Sequence, residues 1–518
     1  MNKQNVVLIN LPPSPDYKYM NPGSLYPATG ILLIGTIFKK QGLNVKIIDG
    51  TTKKDYEQQT IEAINDDTIM IGFSVMTSQA PLALNLSKII KAKYTDIPIV
   101  WGGIHPILFP EQTVQNPNID IVVTGEGYET ILDLLEYTKG RINIEQVRGI
   151  GCKNKTGFPV LTKPATMDNI NELPHFDFDI LDDLENYLNS RSVYEREISK
   201  DKSEKIRLMP MLTGLGCCYK CQFCINVILK RKYRFRSAIS IIAEIKKLQK
   251  EYSTNAFIFY DEDFLISRKR LLEFLDFIEK DNLKFYWRIW ARVDYFREDY
   301  LNRDLISRLE RCGLRSIAMG AESGSQKVID IVLKGIKVEN IFVSANMLKS
   351  TSITPRYSFI VGLEGEDKED TKLTYKLCAD LLEANPSVDI AGPYVFRYYP
   401  GSPIFDKIIN KYKVWIPEKI EDWQTALHKE GFLKIERMPW VWDGCIESAE
   451  ILNQYIHIHN RLRMSTNILT KIINMIITWR LRNFNTRIPV EMYLYSTVKN
   501  IYHKYLVLKN RQAWKNRI

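Results

Sequence analysis

Hydrophobic and polar positions alternate along the first third of the chain in blocks typical of strands and helices. Short, almost wholly apolar runs are separated by longer stretches with a helical period. The runs fall at 6–9, 45–49, 69–74, 97–103 and 119–123, and helices are predicted at 28–41, at 80–93 and from 129 onward. Buried strands that alternate with helices predict a parallel sheet covered on both faces, a flavodoxin-like (Rossmann-type) α/β domain.

The same alternation resumes after residue 207. Apolar strands are predicted at 208–212, 256–260, 286–292, 316–320, 357–362 and 394–397. Polar residues gather where these strands end, notably Asp261-Glu262-Asp263 and Glu322-Ser323-Gly324. Because the active residues of a (β/α) barrel lie at the carboxyl ends of its strands, the pattern predicts a partial TIM-type barrel of six strand–helix units.

The 518-residue chain is too long for one hydrophobic core. We expect a first α/β domain over 1–147, a linker over 148–206, the barrel over 207–403 and a mainly helical region over 404–518. Four tryptophans between 415 and 442 are expected to pack a small helical cap. No N-terminal run resembles a secretory signal, and no segment has the ~18 uninterrupted apolar residues of a membrane span. The expected compartment is the reducing cytoplasm.

Positive charge is concentrated at the C-terminal end. The formal net charge is +10, yet from Arg461 onward twelve Lys and Arg accompany one acidic residue, Glu491. The apolar run 468–480 is too short to span a bilayer and predicts an interfacial or a docking helix. Peripheral contact with the inner face of an anionic membrane is therefore one hypothesis. Nucleic acid is a less favoured partner, because the excess charge is confined to a tail rich in long apolar residues.

Three cysteines on one short loop are the strongest chemical signal in the sequence. Cys217, Cys221 and Cys224 follow the predicted strand 208–212 with the spacing C-x3-C-x2-C. A cubane iron–sulfur cluster has four irons, so three thiolate ligands leave one iron free to bind another molecule. Structural clusters and structural zinc sites usually have four protein ligands. The loop therefore favours a cluster that takes part in chemistry.

Other uses of these cysteines fit less well. No histidine lies close enough in sequence to complete a zinc site, the nearest upstream being His175. Disulfides are disfavoured because the remaining cysteines are scattered and a reducing compartment is expected. Cys218 leaves a second register open, Cys218-x2-Cys221-x2-Cys224, and the spacing alone does not choose between the two.

Candidate ligand-binding residues of the first domain follow its predicted strands. Ligands of doubly wound sheets bind beyond the carboxyl ends of the strands. These ends carry a proline-rich loop, a serine and two glycine-rich runs, with the candidates Pro13, Ser74, Gly102, Gly103, His105, Gly125, Glu126 and Gly127.

The runs Gly102-Gly103-Ile104-His105-Pro106 and Gly125-Glu126-Gly127 resemble the cobalamin-binding domain that precedes many radical S-adenosylmethionine (SAM) enzymes. The resemblance implies a cobalamin cofactor, with backbone at the glycines lying against the macrocycle. The D-x-H-x-x-G signature of proteins with a histidine lower ligand is absent. We therefore expect His105 to be a loop histidine held by backbone hydrogen bonds rather than a cobalt ligand. The alternative is a flavodoxin-like domain that has lost the cofactor.

The cysteine loop and the six strands together resemble the radical SAM superfamily over about 208–403. The family pattern C-x3-C-x-aromatic-C implies that Cys217, Cys221 and Cys224 hold a [4Fe-4S] cluster and that Phe223 lies beside the adenine of SAM. The resemblance also implies SAM-binding residues at the later strand ends. These are Asp261 and Asp263 near the amino group, Ser323 and Arg292 on the carboxylate side, Glu322 in the same Glu-Ser-Gly run as Ser323, and Gly362 beside the adenosine.

The order of the two domains implies a reaction type, although no further catalytic residue is assigned. In such enzymes a 5′-deoxyadenosyl radical removes a hydrogen atom from an unactivated carbon, and methylcobalamin supplies a methyl group. The predicted function is a cobalamin-dependent radical SAM methyltransferase with a small-molecule, lipid-like or peptide substrate and an electron donor such as flavodoxin or ferredoxin. The alternative is a relative of the anaerobic magnesium-protoporphyrin monomethyl ester cyclase, and a non-catalytic iron–sulfur protein is a third hypothesis.

Overall fold

A computed structural model of the chain describes residues 4–13, 27–188, 198, 204–229, 231–398, 400–427, 438–462 and 468–487. The chain divides into two compact units. The first unit comprises 1–320, 329–356 and 397–439, and the second comprises 321–328, 357–396 and the chain from 440 onward.

The first sheet has seven strands in the order β2-β1-β3-β4-β5-β6-β7. They are β1 (Asn5–Asn10), β2 (Asn44–Asp49), β3 (Thr68–Ser74), β4 (Ile99–Gly102), β5 (Ile121–Val123), β6 (Ile150–Lys153) and β7 (Pro159–Leu161). Six helices accompany them, namely α1 (Thr29–Lys40), α2 (Tyr56–Ala63), α3 (Ala80–Lys93), α4 (Ile104–Leu108), α5 (Pro110–Gln115) and α6 (Tyr128–Thr138). Strands β1 to β5 are parallel, as the alternation of apolar runs and helices predicts.

Strands β6 and β7 lie inside the stretch 148–206 that the sequence assigns to a linker. β6 pairs antiparallel with β5, and β7 pairs antiparallel with β6. The Lys153 ammonium group secures this edge by donating to the carbonyl oxygens of Asn116, at 2.8 Å, and Ile119, at 3.2 Å. Strands of three and four residues have too short a pattern to stand out in the sequence, so the first sheet extends beyond its predicted limit at residue 147.

The second sheet has six strands in the order β15-β14-β13-β12-β11-β8. They are β8 (Leu208–Met211), β11 (Ala256–Phe259), β12 (Tyr286–Ala291), β13 (Leu314–Glu322), β14 (Thr354–Val361) and β15 (Asp389–Val395). Strands β8, β11, β12 and β13 pair in parallel. Between β8 and β11 a short antiparallel hairpin forms from β9 (Gly214–Leu215) and β10 (Arg234–Phe235). The six predicted barrel strands are thus confirmed, while the hairpin is additional.

The remaining helices of the described chain follow α6 in order. They are α7 (Leu184–Leu188), α8 (Ile225–Ile228), α9 (Ala238–Tyr252), α10 (Arg268–Lys280), α11 (Arg303–Arg311), α12 (Gln326–Ile331), α13 (Val338–Met347), α14 (Lys368–Ala384), α15 (Pro403–Tyr412), α16 (Trp423–Ala426), α17 (Cys445–Leu462) and α18 (Ile468–Arg482). None of the described helices is both long and apolar enough to cross a membrane.

The four tryptophans between 415 and 442 do not share one cap. Trp423 is fully buried in the core of the first domain, where its indole N–H donates to Gln112 Oε1 at 2.7 Å. Trp415 is 58% exposed. Trp440 and Trp442 belong to the second unit, in which the Trp442 indole N–H donates to Thr371 Oγ1 at 3.0 Å. Two of the four tryptophans, Trp423 and Trp440, are therefore buried, and each belongs to a different unit.

We predict that Trp423→Ala destabilises the first domain by about 3–5 kcal/mol, because it leaves a large cavity in a close-packed core. Trp415→Ala removes the same side chain from an exposed position and should change the free energy of unfolding by about 0.5 kcal/mol or less. Chemical denaturation of both variants would measure this difference. Equal effects of the two substitutions would contradict the assigned packing.

Candidate functional site

A cleft opens at the carboxyl ends of the parallel strands in the first domain. Its cavity volume is ≈ 180 Å³. Ser74 at the end of β3, Gly102 and Gly103 at the end of β4, and the run Gly125-Glu126-Gly127 after β5 line the cleft. Six of the eight residues proposed for cobalamin are therefore brought together at one edge of the sheet.

The interior of the cleft is apolar. It extends between α1 and the sheet, where Ile31, Ile34 and Phe38 face Leu8, Met70 and Val100. An apolar slot with a small number of polar groups at its rim is the usual form of a cofactor site. The chemistry of this lining, glycine backbone and apolar side chains, suits the cobalamin that the glycine-rich runs imply, while a cavity of ≈ 180 Å³ holds only part of so large a molecule.

The loop at Gly103 interlocks with the loop after β3. Gly103 has φ +98°, and a Cβ atom there would lie 2.7 Å from the Val75 nitrogen and 2.8 Å from its oxygen. The same Val75 backbone accepts from the His105 N–H at 3.0 Å and donates to Gly102 O at 2.8 Å. Only glycine combines this dihedral angle with this close approach.

His105 and Pro13, the other two candidates, do not line the cleft. The His105 imidazole is fully buried on the other side of α4, between the rings of Phe109 and Trp423 at centroid distances of 5.4 Å. Burial lowers its pKa to about 3, and neither ring nitrogen has a hydrogen-bond partner among the described residues. The side chain is thus a neutral packing group, and only its backbone forms the expected hydrogen bond. Pro13 is exposed, and the rest of its loop, 14–15, lies outside the described residues.

The sequence did not single out the arginines that reach this cleft. Arg231 lines it, and Arg234 forms a two-pronged ion pair with Glu126. Tyr128 also lines it, and burial raises the pKa of its hydroxyl to about 12. The signal available in the sequence was the alternation of basic and aromatic residues over 231–236, directly after the cysteines.

The cysteine loop follows β9 and leads into α8, so in sequence it lies between the two strands of the β9–β10 hairpin. Cys221 is buried, Cys217 and Cys224 are half-buried, and Cys218 is exposed. The backbone of the cysteine loop is held by hydrogen bonds from the Cys224 N–H to Cys221 O and from the Gln222 N–H to Val332 O, both 3.0 Å. All eight cysteines have free thiols. Three free thiols on one anchored loop are the donor set that an iron–sulfur cluster uses.

No group of three His, Cys, Asp or Glu side chains within the described ranges already has the arrangement of a metal site. Burial raises the pKa of the Cys217 thiol to about 11. Thiolate ligands must lose their protons on metal binding, so cluster assembly at this loop would release protons.

The acidic residues after β11 have different surroundings. Asp261 is buried and accepts from the Thr213 N–H and from Arg270 Nη2, both at 3.1 Å, so it fixes the end of β8. Asp263 is also buried and accepts from the Tyr295 hydroxyl at 2.9 Å and from the Leu265 N–H at 3.1 Å. Burial raises the pKa of Asp263 to about 7. Asp261 therefore forms more hydrogen bonds and ion pairs with other residues of the chain than Asp263 does.

Arg292 braces the cysteine loop. Its guanidinium lies 3.6 Å from the ring centroid of Tyr219, a residue of that loop. It also pairs with Asp294 at 3.0 Å and donates to Lys334 O at 2.9 Å. The Tyr219 hydroxyl lies 3.2 Å from that of Tyr295. A cation–π contact and a hydrogen bond thus fix the part of the loop between Cys217 and Cys221.

Of the other SAM candidates, Phe223 is half-buried in the cysteine loop of the first unit, whereas Glu322, Ser323 and Gly362 belong to the second unit. Glu322 is buried with φ +64°, an unusual conformation for a non-glycine residue that is often found at functional sites. Ser323 Oγ lies 3.0 Å from Thr374 Oγ1. The loop after Gly362 is closed by Glu366, which accepts from the Leu363 N–H at 3.0 Å and from Thr371 Oγ1 at 2.9 Å. Burial raises the pKa of Glu366 to about 7.

Two family models match this chain. Residues 20–135 match the family model of the B12 binding domain, and residues 211–378 match that of the radical SAM superfamily. The chain thus contains a B12 binding domain followed by a radical SAM domain. Its cofactors are a [4Fe-4S] cluster, SAM and cobalamin, and it is an enzyme.

Individual relatives span both domains. An uncharacterized methyltransferase of Pyrococcus horikoshii is 25% identical over 410 residues, which cover 78% of this chain and 83% of the relative. The anaerobic magnesium-protoporphyrin IX monomethyl ester cyclase of Rubrivivax gelatinosus is 29% identical over 405 residues, covering 77% and 69%. The structure of the cobalamin-dependent SAM radical enzyme OxsB with aqua-cobalamin bound superposes with a TM-score of 0.69 at 16% identity, covering 96% of this chain and 75% of OxsB, which shows a shared fold.

We predict that Gly103→Ala destabilises the first domain by about 1–3 kcal/mol, because a methyl group cannot fit against the Val75 backbone. Gly102→Ala is the matched control, since a Cβ atom there finds its nearest neighbour at 3.8 Å. Thermal unfolding of the two variants tests the difference. A Gly103→Ala protein as stable as the parent would show that this loop is not interlocked.

Proposed function

We propose that this enzyme is a cobalamin-dependent radical SAM methyltransferase that acts on an unactivated carbon atom. The observation that carries the proposal is that one chain holds a glycine-rich cleft at a sheet edge and a three-cysteine loop at the mouth of a second sheet. The similarity to the Pyrococcus horikoshii methyltransferase over both domains supports it.

The bound cofactors supply the radical and the methyl group, and the protein's contribution is placement and the exclusion of oxygen and water. Cys217, Cys221 and Cys224 would hold the cluster. The loop Gly125-Glu126-Gly127 and its neighbours would hold cobalamin. Asp263 and Arg292 would orient SAM on the side of the cysteine loop, and Phe223 would pack beside its adenine. An external electron donor, such as flavodoxin or ferredoxin, would reduce the cluster.

A cyclase-like oxidation is the second candidate, and the similarity to the Rubrivivax gelatinosus enzyme favours it. The two reactions share one scaffold, so the fold does not separate them. They differ in the fate of the SAM methyl group. In both reactions one SAM is cleaved to methionine and 5′-deoxyadenosine. Methyl transfer also converts a second SAM to S-adenosylhomocysteine, whereas oxidation by the radical alone does not.

We predict that the anaerobically reconstituted protein, given cobalamin, a reductant and methyl-labelled SAM, forms both 5′-deoxyadenosine and S-adenosylhomocysteine. Cobalamin should remain bound through gel filtration. The variant with Cys217, Cys221 and Cys224 all replaced by alanine is the control and should form no 5′-deoxyadenosine. Deoxyadenosine without S-adenosylhomocysteine in the parent would contradict methyl transfer and favour the cyclase-like reaction.

We further propose that α18 rests on an anionic membrane surface, which would bring a lipid-like substrate within reach. One face of α18 consists of large apolar side chains that are 37–77% exposed, at intervals of three or four residues: Ile468, Ile472, Met475, Ile476 and Trp479. No Asp or Glu occurs between 451 and 490, and Lys471 and Arg487 are exposed. An apolar helix face with basic flanks is the usual form of an interfacial helix. The tyrosines and Trp514 of the basic tail lie outside the described residues.

We predict that the parent protein co-sediments with vesicles containing phosphatidylserine and that replacing Ile472, Met475 and Trp479 by serine reduces the bound fraction about tenfold or more. These side chains are 48%, 68% and 53% exposed, so their loss should leave the fold intact. Ile239→Ser, at a position 63% exposed on α9, is the control and should bind as the parent does. Equal binding of the triple variant and the parent would refute the membrane surface.

A further inference from the structure

Glu126 has a partner that its place in the cobalamin cleft does not explain. Arg234 Nη1 donates to Glu126 Oε2 at 2.8 Å, and Nη2 forms a second, shorter contact with Oε1. The two side chains are only 15% and 12% exposed. Arg234 also donates to Met167 O. A two-pronged, largely buried arginine–carboxylate pair fixes both position and orientation, and the loss of either partner leaves a buried charge unpaired.

Arg234 connects this pair to the start of the cysteine loop. It lies on β10, opposite Leu215 of β9. Its Nε donates to Lys232 O at 3.1 Å, and that same carbonyl group lies directly against Gly216. Gly216 is followed by Cys217. Arg234 therefore contacts Glu126 of the cleft directly. It contacts Gly216, the residue before the first cysteine, indirectly, through the Lys232 carbonyl group.

A second, looser connection runs parallel to the first. Arg231 lines the cleft, with its Nε 3.9 Å from Glu126 Oε1 and its Nη1 4.0 Å from Glu262 Oε1. The Arg231 carbonyl oxygen also lies directly against Gly216, 2.9 Å from where a Cβ atom of that residue would be. In the described part of the chain, the buried Arg231 Nε and Glu262 Oε2 have no hydrogen-bond partner. Both connections thus end at Gly216. The second connection also contains two polar atoms, Arg231 Nε and Glu262 Oε2, that are available for further hydrogen bonds.

We propose that the Glu126–Arg234 ion pair couples occupancy of the cobalamin cleft to the geometry of the cysteine loop, so that each cofactor strengthens binding of the other. Glu126 and Arg234 are positioning residues in this arrangement. Coupling between two sites is reciprocal. If the cluster raises the affinity of the protein for cobalamin, cobalamin must raise the affinity of the protein for the cluster by the same factor. The inference rests on the cofactors of the proposed function and is independent of whether a methyl group is transferred.

The test compares the affinity for hydroxocobalamin of the full chain with and without a reconstituted cluster, followed by absorbance under anaerobic conditions. In the parent we expect the cluster to lower the dissociation constant about fivefold or more. Glu126→Gln and Arg234→Gln should each bring the ratio of the two dissociation constants close to one, and the double variant should show no further change. Asp133→Asn, which breaks the more exposed Asp133–Arg148 pair of the same domain, should keep the parental ratio.

Arg234→Lys keeps the charge but cannot form the two-pronged contact, and it should retain less than half of the parental ratio. This variant keeps the test decisive if a glutamine substitution prevents folding. The coupling would be overturned if the two dissociation constants of the parent were equal. It would also be overturned if Glu126→Gln and Arg234→Gln kept the same ratio of dissociation constants as the parent. Either result would leave the proposed function intact. A parent that binds no hydroxocobalamin at all would instead overturn the proposed function, and the coupling with it.

Discussion

The backbone turn at Gly216 is the constraint on which the arrangement of the cysteine loop depends. Its φ of +77° directs the chain out of β9, and a Cβ atom there would lie 2.8 Å from Lys232 C and 2.9 Å from Arg231 O. A side chain at this position would separate β9 from β10 and move Cys217 with it. The hairpin and the first cysteine are therefore set by one close backbone contact.

The fold was largely predictable because both sheets repeat one simple pattern. β11, for example, was expected at 256–260 and is found at Ala256–Phe259. Elements too short to show a period were not predictable, as β6, β7 and the two-residue strands β9 and β10 illustrate. The docking of Trp423 against α5 was not predictable either, because a hydrogen bond to a residue 311 positions away leaves no local signal.

The candidate site also has a part that could be predicted from the sequence and a part that could not. Glycine runs at the ends of β4 and β5 identified the cleft, because strand ends in parallel sheets converge at one edge. His105 lies in the same run but faces the other way, since Ile104 and Ile107 share the face of α4 that meets the cleft. Arg231 and Arg234 reach the cleft from a hairpin about a hundred residues later. Such contacts between distant segments required the three-dimensional structure.

The measurement that tests the account most directly is the iron content and the electron paramagnetic resonance spectrum of cysteine variants after anaerobic reconstitution. We expect Cys218→Ala to keep about four irons per chain and, once reduced, a signal that changes when SAM is added. Cys217→Ala, Cys221→Ala and Cys224→Ala should each lose the cluster or this response. A Cys217→Ala protein with parental iron and a parental response to SAM would contradict the assignment of the three ligands.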